Sequence, residues 1–396
     1  MALKSVGVNL SIFGCTLLIV WGCLEVAFAL AAPQVPIKEA LLYAPHPVLR
    51  YVPNPGVDRR YRTTEFDTQV AFNSKGFRGP ESVPDSSSRV FRILCLGDSF
   101  TLGAEVALEE SYPYLLEEML NQRSENRADS IRYSVLNGGV GGYGTFQELV
   151  FLGEFGLAQK PDLVLVQFYS NDVKDNLRYR AFWNSVFPDS SVFPVRDDVV
   201  APVIGSVSGS VEVARSGIRT ASILPDIKEV LEKNSHVYHF FRARINILKS
   251  TLGVRKLTDF DDFMVMVREP SPDIEEGWDL TRRLYLQMRD ISRQNQASLV
   301  ISVVPNKTLL ARDGRFDEWI AAEGLDMTIP HSVMTKFGSE SQIPVLDLLP
   351  PLREAGALTD LHYDWDGHWN ASGHRAAAIA TASFLEQQQL IPDREN

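Results

Sequence analysis

One serine of this chain follows a predicted buried strand and stands at a sharp turn. The residues Ile93-Leu94-Cys95-Leu96 are apolar without alternation, which is typical of a strand covered on both faces of a parallel sheet. Gly97 permits a tight turn after them, and the carboxyl ends of such strands are where α/β enzymes do their chemistry. Ser99 is therefore a candidate nucleophile. Asp98 and Ser99 are also residue types that cap a following helix, so the turn alone does not decide between the two roles.

A serine hydroxyl needs a base, and a candidate lies near the other end of the chain. Asp366 and His368 stand two residues apart, so in an extended segment both side chains point the same way. The carboxylate can then fix the imidazole tautomer and stabilise the imidazolium that forms when His368 takes the proton of Ser99. The same segment also suits a polar loop that caps the last helix through Asn370 or Ser372, and both interpretations can hold together.

Two further segments offer hydrogen-bond donors to a developing anion. The glycine-rich run 137–144 follows an apolar stretch, and its backbone can approach a ligand closely. Asn171 follows the apolar run 163–168 and offers its side-chain amide. A flexible connector explains the first segment equally well, and a turn residue explains the second.

The four segments, in this order along the chain, resemble the motif blocks of the SGNH (GDSL) hydrolases over roughly residues 90 to 390. The resemblance implies Ser99 as nucleophile and His368 as base. It also implies oxyanion donors from the Ser99 amide, the Gly142 amide and the Asn171 side chain. Gly142 is chosen because it stands five residues after Asn137, as in the second block of the family.

The sequence departs from the common family pattern at two positions. Tyr169 stands where the third block has glycine, and Trp365 stands where the acid usually precedes the histidine by three residues. Asp366 is therefore the expected acid, with Asp364 as the second choice. The Asp-x-His-Trp pattern is similar to that of SGNH proteins that work on exported polysaccharides, including alginate O-acetylation proteins.

The amino-terminal residues 1–32 predict export of the protein. From Val6 to Ala32 the chain is mostly apolar and long enough for the roughly 20 residues of a membrane helix, and Lys4 favours a cytoplasmic amino end. We expect a transmembrane anchor with a periplasmic or cell-surface catalytic domain. The alternative is a secretory signal cleaved near residues 27–31, where small residues alternate, which would release the protein.

Charge, cysteine positions and residue spacing argue against nucleic-acid binding, disulfide bonds and metal sites. A formal net charge of -11 argues against nucleic-acid binding. Of the three cysteines, Cys15 and Cys23 belong to the apolar segment and Cys95 to a predicted strand, so no disulfide is expected in the catalytic domain. We find no cluster with the spacing of metal ligands, and we expect neither a metal nor a cofactor.

The remaining sequence predicts an α/β fold. Residues 33–89 form a Pro-rich, strand-poor lead-in arm, and residues 90–392 form the SGNH-like catalytic domain. The pattern predicts a three-layer α/β/α sandwich, flavodoxin-like, around a mostly parallel sheet of about five strands. Helices are expected over 111–121, 146–155 and 278–294, and the fourth and fifth strands over 299–304 and 345–348.

An insertion from about residue 174 to 272 is too long for a simple connection. Its early aromatic residues suit either a wall for a sugar ring or acyl chain, or a small core of the insertion itself. These residues are Tyr179, Phe182, Trp183, Phe187 and Phe193.

Three functions fit these observations. The first is a serine esterase that acts outside the cytoplasm on acyl groups of a glycan or a lipid-like ester. The second is an O-acyltransferase that uses an exported polysaccharide in place of water, beside a membrane-bound O-acyltransferase partner. The third is a scaffold protein without turnover, and the complete set of Ser99, Asn171 and His368 argues against it.

Overall fold

The computed structural model describes most of the chain with gaps. The described residues are 2–31, 42–63, 65–81, 90–124, 131–186, 235, 237–238, 240–241, 261–311, 314, 317–364 and 366–392.

Nine strands form three sheets within these ranges. Two hairpins come first: β1 (Tyr43–His46) pairs with β2 (Arg50–Pro53), and β3 (Asp58–Arg62) pairs with β4 (Asp67–Ala71). The central sheet follows, with strands β5 (Val90–Gly97), β6 (Arg132–Gly139), β7 (Leu163–Phe168), β8 (Ser298–Val303) and β9 (Val345–Asp347).

The central sheet is entirely parallel and has the order β6-β5-β7-β8-β9. This is the flavodoxin-like order, in which the chain changes direction across the sheet beside β5, and ligands bind outside the carboxyl ends of the strands at such a point. The five-stranded parallel sheet predicted from the apolar runs is confirmed.

Twelve α-helices are described. They are α1 (Ala2–Ala31), α2 (Ser99–Leu102), α3 (Tyr112–Ser124), α4 (Thr145–Phe151), α5 (Asp172–Val186), α6 (Asp261–Met264), α7 (Pro272–Gln294), α8 (Asp317–Ala322), α9 (Ile329–Ser341), α10 (Leu349–Ala355), α11 (Leu358–Leu361) and α12 (Ala371–Gln387). A π-helical turn, Leu152–Gly156, follows α4 directly, so the helix predicted over 146–155 is interrupted near its middle.

Helices cover both faces of the central sheet, which gives three layers. Alternate residues of β5 enter opposite cores: Leu94 and Leu96 pack with α4, α5, α7 and α9, whereas Ile93 and Cys95 pack with α3, α10 and α12. A strand buried on both sides has no polar face. This explains why the run before Gly97 is apolar at every position.

The lead-in contains more strand than the sequence predicted. Its two hairpins are short, and in β3 only Tyr61 is buried among five residues. Pro45 and Pro53 also lie within the first hairpin. Strands of this kind lack the alternation of apolar and polar residues on which sequence-based prediction depends.

The amino-terminal segment is helical as α1. Within the described residues, however, no helix has the combination of length and apolarity that crossing a membrane requires. The predicted N-terminal membrane helix is therefore not confirmed.

The start of the insertion belongs to the main core. Tyr179 and Trp183 of α5 are buried, and their rings lie 4.7 and 6.0 Å from the ring of Phe146 in α4. These two aromatic residues therefore line neither a substrate wall nor a separate small core. Phe187 and Phe193 lie outside the described residues.

Candidate active site

Ser99 begins the short helix α2 directly after β5. The side chain of Asp98 caps this helix by accepting a hydrogen bond from the Phe100 amide at 2.9 Å. The capping role is therefore filled by Asp98, and the Ser99 hydroxyl points elsewhere. Ser99 Oγ lies 2.6 Å from Nε2 of His368, which is 269 residues away in sequence.

Gly97 is required at the end of β5 because of its conformation and its surroundings. It has a φ of 152°, and a Cβ there would overlap Thr101 Oγ1 and approach Gln167 Cβ to 2.9 Å. A larger residue would displace the turn that carries Ser99.

The carboxyl-terminal segment presents the second and third members of the arrangement. Asp366 Oδ1 accepts hydrogen bonds from His368 Nδ1 at 2.5 Å and from the His368 backbone amide at 3.0 Å. Because Nδ1 donates to this carboxylate, Nε2 is left to accept the hydroxyl proton of Ser99. Asp364 is exposed, and Asp366 is the acid that the structure places on the imidazole.

The same segment also caps the last helix, as its alternative interpretation predicted. The Asn370 side chain accepts from the amides of Ser372 and Gly373 at 2.9 and 3.1 Å, at the start of α12. Trp369 is fully buried, and its ring lies 5.0 Å from the ring of Phe100. The cap and this packing hold the loop that carries His368.

Two carboxylates act on the charge of His368. Burial alone lowers the pKa of the imidazole, but the negative charges of Glu105 and Asp366 outweigh it and raise that pKa to about 9. Burial raises the pKa of Asp366, but the hydrogen bond and the charge of His368 have the larger effect, so the pKa lies below its usual value. Asp366 therefore stays ionised, and an imidazolium is strongly stabilised.

The other two histidines of this region stay neutral. Burial is the main cause that lowers the pKa values of His362 and His374 to about 3, and nearby positive charges add to it. His374 Nδ1 accepts from the Tyr112 amide at 3.3 Å, which packs α12 against α3. His374 therefore has a structural role.

The glycine-rich segment packs directly against the nucleophile turn. The Val140 amide donates to the Gly97 carbonyl at 3.0 Å, and a Cβ at Gly139 would overlap the backbone of Leu102. Gly142 has a φ of 74° within a turn closed by the Tyr143 amide and the Val140 carbonyl at 3.1 Å. A left-handed residue at this third position of a turn favours glycine.

Two tyrosines of the lead-in hold the backbone of Gly141, the residue before Gly142. The Gly141 amide donates to the Tyr43 hydroxyl at 3.0 Å, and the Tyr51 hydroxyl donates to the Gly141 carbonyl at 2.8 Å. A trans peptide is planar, so a fixed Gly141 carbonyl also fixes the direction of the Gly142 N–H, the donor expected at the oxyanion.

Asn171 lies at the carboxyl end of β7, half-buried at the start of α5. Its Oδ1 is buried without a hydrogen-bond partner among the described residues, while its backbone carbonyl accepts from the amides of Lys174 and Asp175. The Ser99 amide lies in the first turn of α2, where N–H groups have no partner within their helix. Tyr169, in the glycine position of the third block, has its ring 5.0 Å from that of Phe100.

Sequence reasoning missed the residues that support the site from a distance. Besides Tyr43 and Tyr51, the lead-in contributes Glu65, whose carboxylate accepts from the Asp366 amide at 2.6 Å. Glu105 was also missed, although it stands only six residues after Ser99. Glu105, Asp366 and His368 form a group of potential metal-ligand atoms within 4.8 Å of one another. Asp366 and the Nδ1 nitrogen of His368 already bond each other in that group, so its chemistry is that of an acid–base pair.

Comparison with known proteins finds similarity over part of the chain. Residues 267–396 match the family model of the SGNH hydrolase-like domain of the acetyltransferase AlgX. A protein of Vibrio mimicus called "Arylesterase" is 32% identical over 81 residues, which are 20% of this chain and 38% of that protein.

Solved structures with a similar course of the chain include esterases. An acetyl xylan esterase, AlAXEase, is 12% identical with a TM-score of 0.39, and covers 74% of this chain and 98% of its own. The lipase/acylhydrolase from Enterococcus faecalis is 13% identical with a TM-score of 0.40, at 75% and 96% coverage. TM-scores this low support no conclusion about function. Residues 267–396 are thus similar to an SGNH hydrolase-like domain, and the order of the four motif segments along the chain resembles that of the SGNH hydrolases.

Proposed function

We propose that this protein is a serine-dependent hydrolase of carboxylic esters that works through an acyl-enzyme on Ser99. The observation that carries the proposal is the continuous hydrogen-bonded path from Ser99 Oγ to His368 Nε2 and from His368 Nδ1 to Asp366 Oδ1. A hydroxyl is a poor nucleophile until a base takes its proton, and this path supplies the base together with the group that orients it.

In the first half-reaction, Ser99 Oγ attacks the ester carbonyl carbon while His368 takes the hydroxyl proton. The negative charge of the tetrahedral intermediate then falls on the former carbonyl oxygen, where the amides of Ser99 and Gly142 and the Asn171 side chain stabilise it. The carbon–oxygen bond to the leaving alcohol breaks, and His368 returns its proton to that alcohol. The acyl group is left on Ser99.

In the second half-reaction, water attacks the acyl-enzyme and gives a proton to His368, which passes it back to Ser99 Oγ. The product is the free carboxylic acid. The match to a domain named for an acetyltransferase favours acetyl esters as substrates. The Asp-x-His-Trp pattern, which resembles that of SGNH proteins acting on exported polysaccharides, favours a glycan as the carrier, with a lipid-like ester as the other class.

A fluorophosphonate probe tests the nucleophile directly. We expect wild-type protein at pH 8 to be labelled on Ser99, and Ser99→Ala and His368→Ala to prevent labelling. Ser372→Ala is the matched control, because that serine is exposed at the start of α12 and outside the hydrogen-bonded path. Wild-type protein that is folded but unlabelled would overturn the proposed mechanism.

The second candidate is an O-acyltransferase in which a polysaccharide hydroxyl replaces water. Two observations favour it: the acetyltransferase family matched by residues 267–396, and the Asp-x-His-Trp segment Asp366 to Trp369. On this proposal a membrane-bound O-acyltransferase supplies the acyl groups. Incubation with 4-nitrophenyl acetate, with and without deacetylated oligosaccharides, separates the two by mass spectrometry. Acetylated sugar indicates transfer, and acetate alone indicates hydrolysis.

We further propose that the catalytic domain works outside the cytoplasm, in the periplasm or at the cell surface. The mostly apolar residues from Val6 to Ala32 and Lys4 before them support export, either as an anchor or as a cleaved signal. Fractionation of cells expressing the full chain tests this. Protein found only in the cytosolic fraction would contradict it.

A further inference from the structure

Glu105 is a buried carboxylate that faces the base from a second direction. It follows the end of α2, is 3% exposed, and places Oε1 at 3.5 Å from His368 Nδ1, the atom that also bonds Asp366. Its Oε2 has no hydrogen-bond partner among the described residues. An acceptor buried in this way is costly unless a charge compensates for it.

The segment that carries Glu105 is held by a buried arginine of the lead-in. Arg78 is 4% exposed, and its guanidinium donates to the carbonyls of Leu102 and Val106, both at 2.7 Å. On the other side, the Tyr363 hydroxyl donates to the Glu105 carbonyl at 2.9 Å. These bonds fix the backbone on both sides of Glu105, and so fix the position from which its side chain extends towards His368.

A count of charges shows what Glu105 does to the base. With His368 neutral, two ionised carboxylates, Glu105 and Asp366, face one guanidinium, and the cluster carries a net charge of about -1. When His368 takes the proton of Ser99, the cluster becomes neutral. Other charged or titratable groups that act on this cluster include Glu65, Asp98, Glu109, Lys307, His362, Tyr363 and His374.

We propose that Glu105 is a positioning residue for the reaction, a second carboxylate that acts through His368 by compensating the charge of its imidazolium. This inference rests on the proposed serine mechanism and adds a fourth side chain to it. Asp366 orients the ring through a hydrogen bond. Glu105 makes the imidazole of His368 more basic, and it does not replace Asp366 as the hydrogen-bond partner of the ring.

The titration of the cluster agrees with this geometry. Burial raises the pKa of Glu105 to about 7, although the positive charge of His368 opposes the rise. Above pH 7 the carboxylate is ionised, and its charge is the first of the causes that raise the pKa of His368 to about 9 against burial. Without Glu105, only the hydrogen bond and charge of Asp366 and the charge of Asp98 oppose the effect of burial on the pKa of His368.

The test is the pH dependence of His368 in Glu105→Gln, a variant that keeps the shape of the side chain and removes its charge. Histidine NMR titration of the full chain reports the imidazole directly, and the rate of fluorophosphonate labelling of Ser99 reports it through reactivity. We expect both midpoints to fall from near 9 by about one pH unit or more. In Glu105→Asp, which keeps the negative charge, both midpoints should fall less than in Glu105→Gln.

Glu117→Gln is the matched control. Its carboxyl is also partly buried, with a pKa raised by burial, but it accepts from the Val135 amide and lies away from His368. We expect no shift of either midpoint in this variant.

Each outcome decides one of the two claims. An unchanged His368 titration in folded Glu105→Gln would overturn the role of Glu105, even where Ser99 is still labelled. A shifted titration in protein that the probe does not label would support the role of Glu105 and count against the serine mechanism.

Discussion

The two sides of the candidate site are held by different parts of the chain. On the base side, Asp366 bonds both the ring and the backbone of His368 within three residues, so the contact is local. On the oxyanion side, the turn that carries Gly142 is held by Tyr51 from about 90 residues earlier. The ring of the base is therefore oriented from within its own loop, although Glu65 of the lead-in also holds the Asp366 amide, whereas the contacts at the expected oxyanion donor come from a separate segment.

The two sides also differ in the kind of buried charge that they hold. Near the base, burial lowers the pKa values of His362 and His374 to about 3. Behind the glycine-rich turn, burial raises the pKa values of Glu148 and Asp172 well above their usual range. The buried histidines His362 and His374 therefore resist gaining protons, whereas the buried carboxyls Glu148 and Asp172 resist losing them. Acid should therefore change the contributions of these two pairs to stability in opposite directions.

The largest expected effect concerns the local contact of the base side. Asp366→Asn should reduce kcat/KM for an ester by about 10³- to 10⁴-fold, because an amide cannot stabilise the imidazolium and disturbs the tautomer. Asp364→Asn is the control, since that side chain is exposed, and it should leave kcat/KM within about 3-fold of wild type. Steady-state hydrolysis of 4-nitrophenyl acetate measures both. The reverse ranking would identify Asp364 as the acid.

The second effect concerns acid stability. The pKa of His374 is about 3 in the folded protein, below the usual value of 6.5, so the unfolded chain binds more protons between those pH values. Stability from this histidine is thus complete above pH 6.5 and is lost as the pH falls towards 3. Between pH 7 and pH 4.5, wild type should lose about 2 to 3 kcal/mol of unfolding free energy because of this histidine. His374→Gln should not show that loss.

Urea unfolding at the two pH values measures this difference, and an equal loss in wild type and variant would contradict it.

Glu148→Gln provides the opposite case. Its carboxyl has a raised pKa, so protonation stabilises the folded wild type as the pH falls. Removing that group should make the variant lose more stability on acidification than wild type does.

The base side and the sheet could be predicted from sequence because their signals are local. Continuous apolar runs mark strands covered on both faces, and the Asp366 to His368 spacing suits one side of an extended segment. The capping residues Asp98 and Asn370 follow from residue type in the same way. At the first turn, the sequence did not decide between a cap and a nucleophile, and the structure assigns the cap to Asp98, which leaves Ser99 available to the base.

The distant supports of both sides could not be predicted, because they depend on long-range packing. Nothing near Tyr51 or Glu65 in sequence indicates that one contacts Gly141 and the other contacts Asp366. Glu105 is similar: its role depends on how the end of α2 folds back against His368. Contacts of this kind follow from the tertiary fold, and a single sequence carries no spacing rule for them.

The smallest expected effect tests whether Tyr51 acts on the oxyanion side alone. Tyr51→Phe keeps the ring and removes the hydroxyl that fixes the Gly141 carbonyl, so the following N–H is less well aimed. We expect kcat to fall by about 10-fold with little change in KM, less than the loss of a whole oxyanion donor, and the pH midpoint of His368 to stay unchanged. Tyr61→Phe, in β3 of the same lead-in, is the control and should keep wild-type kcat. If Tyr51→Phe shifted the pH midpoint instead, the lead-in would act through the base, and the two sides would not be independent.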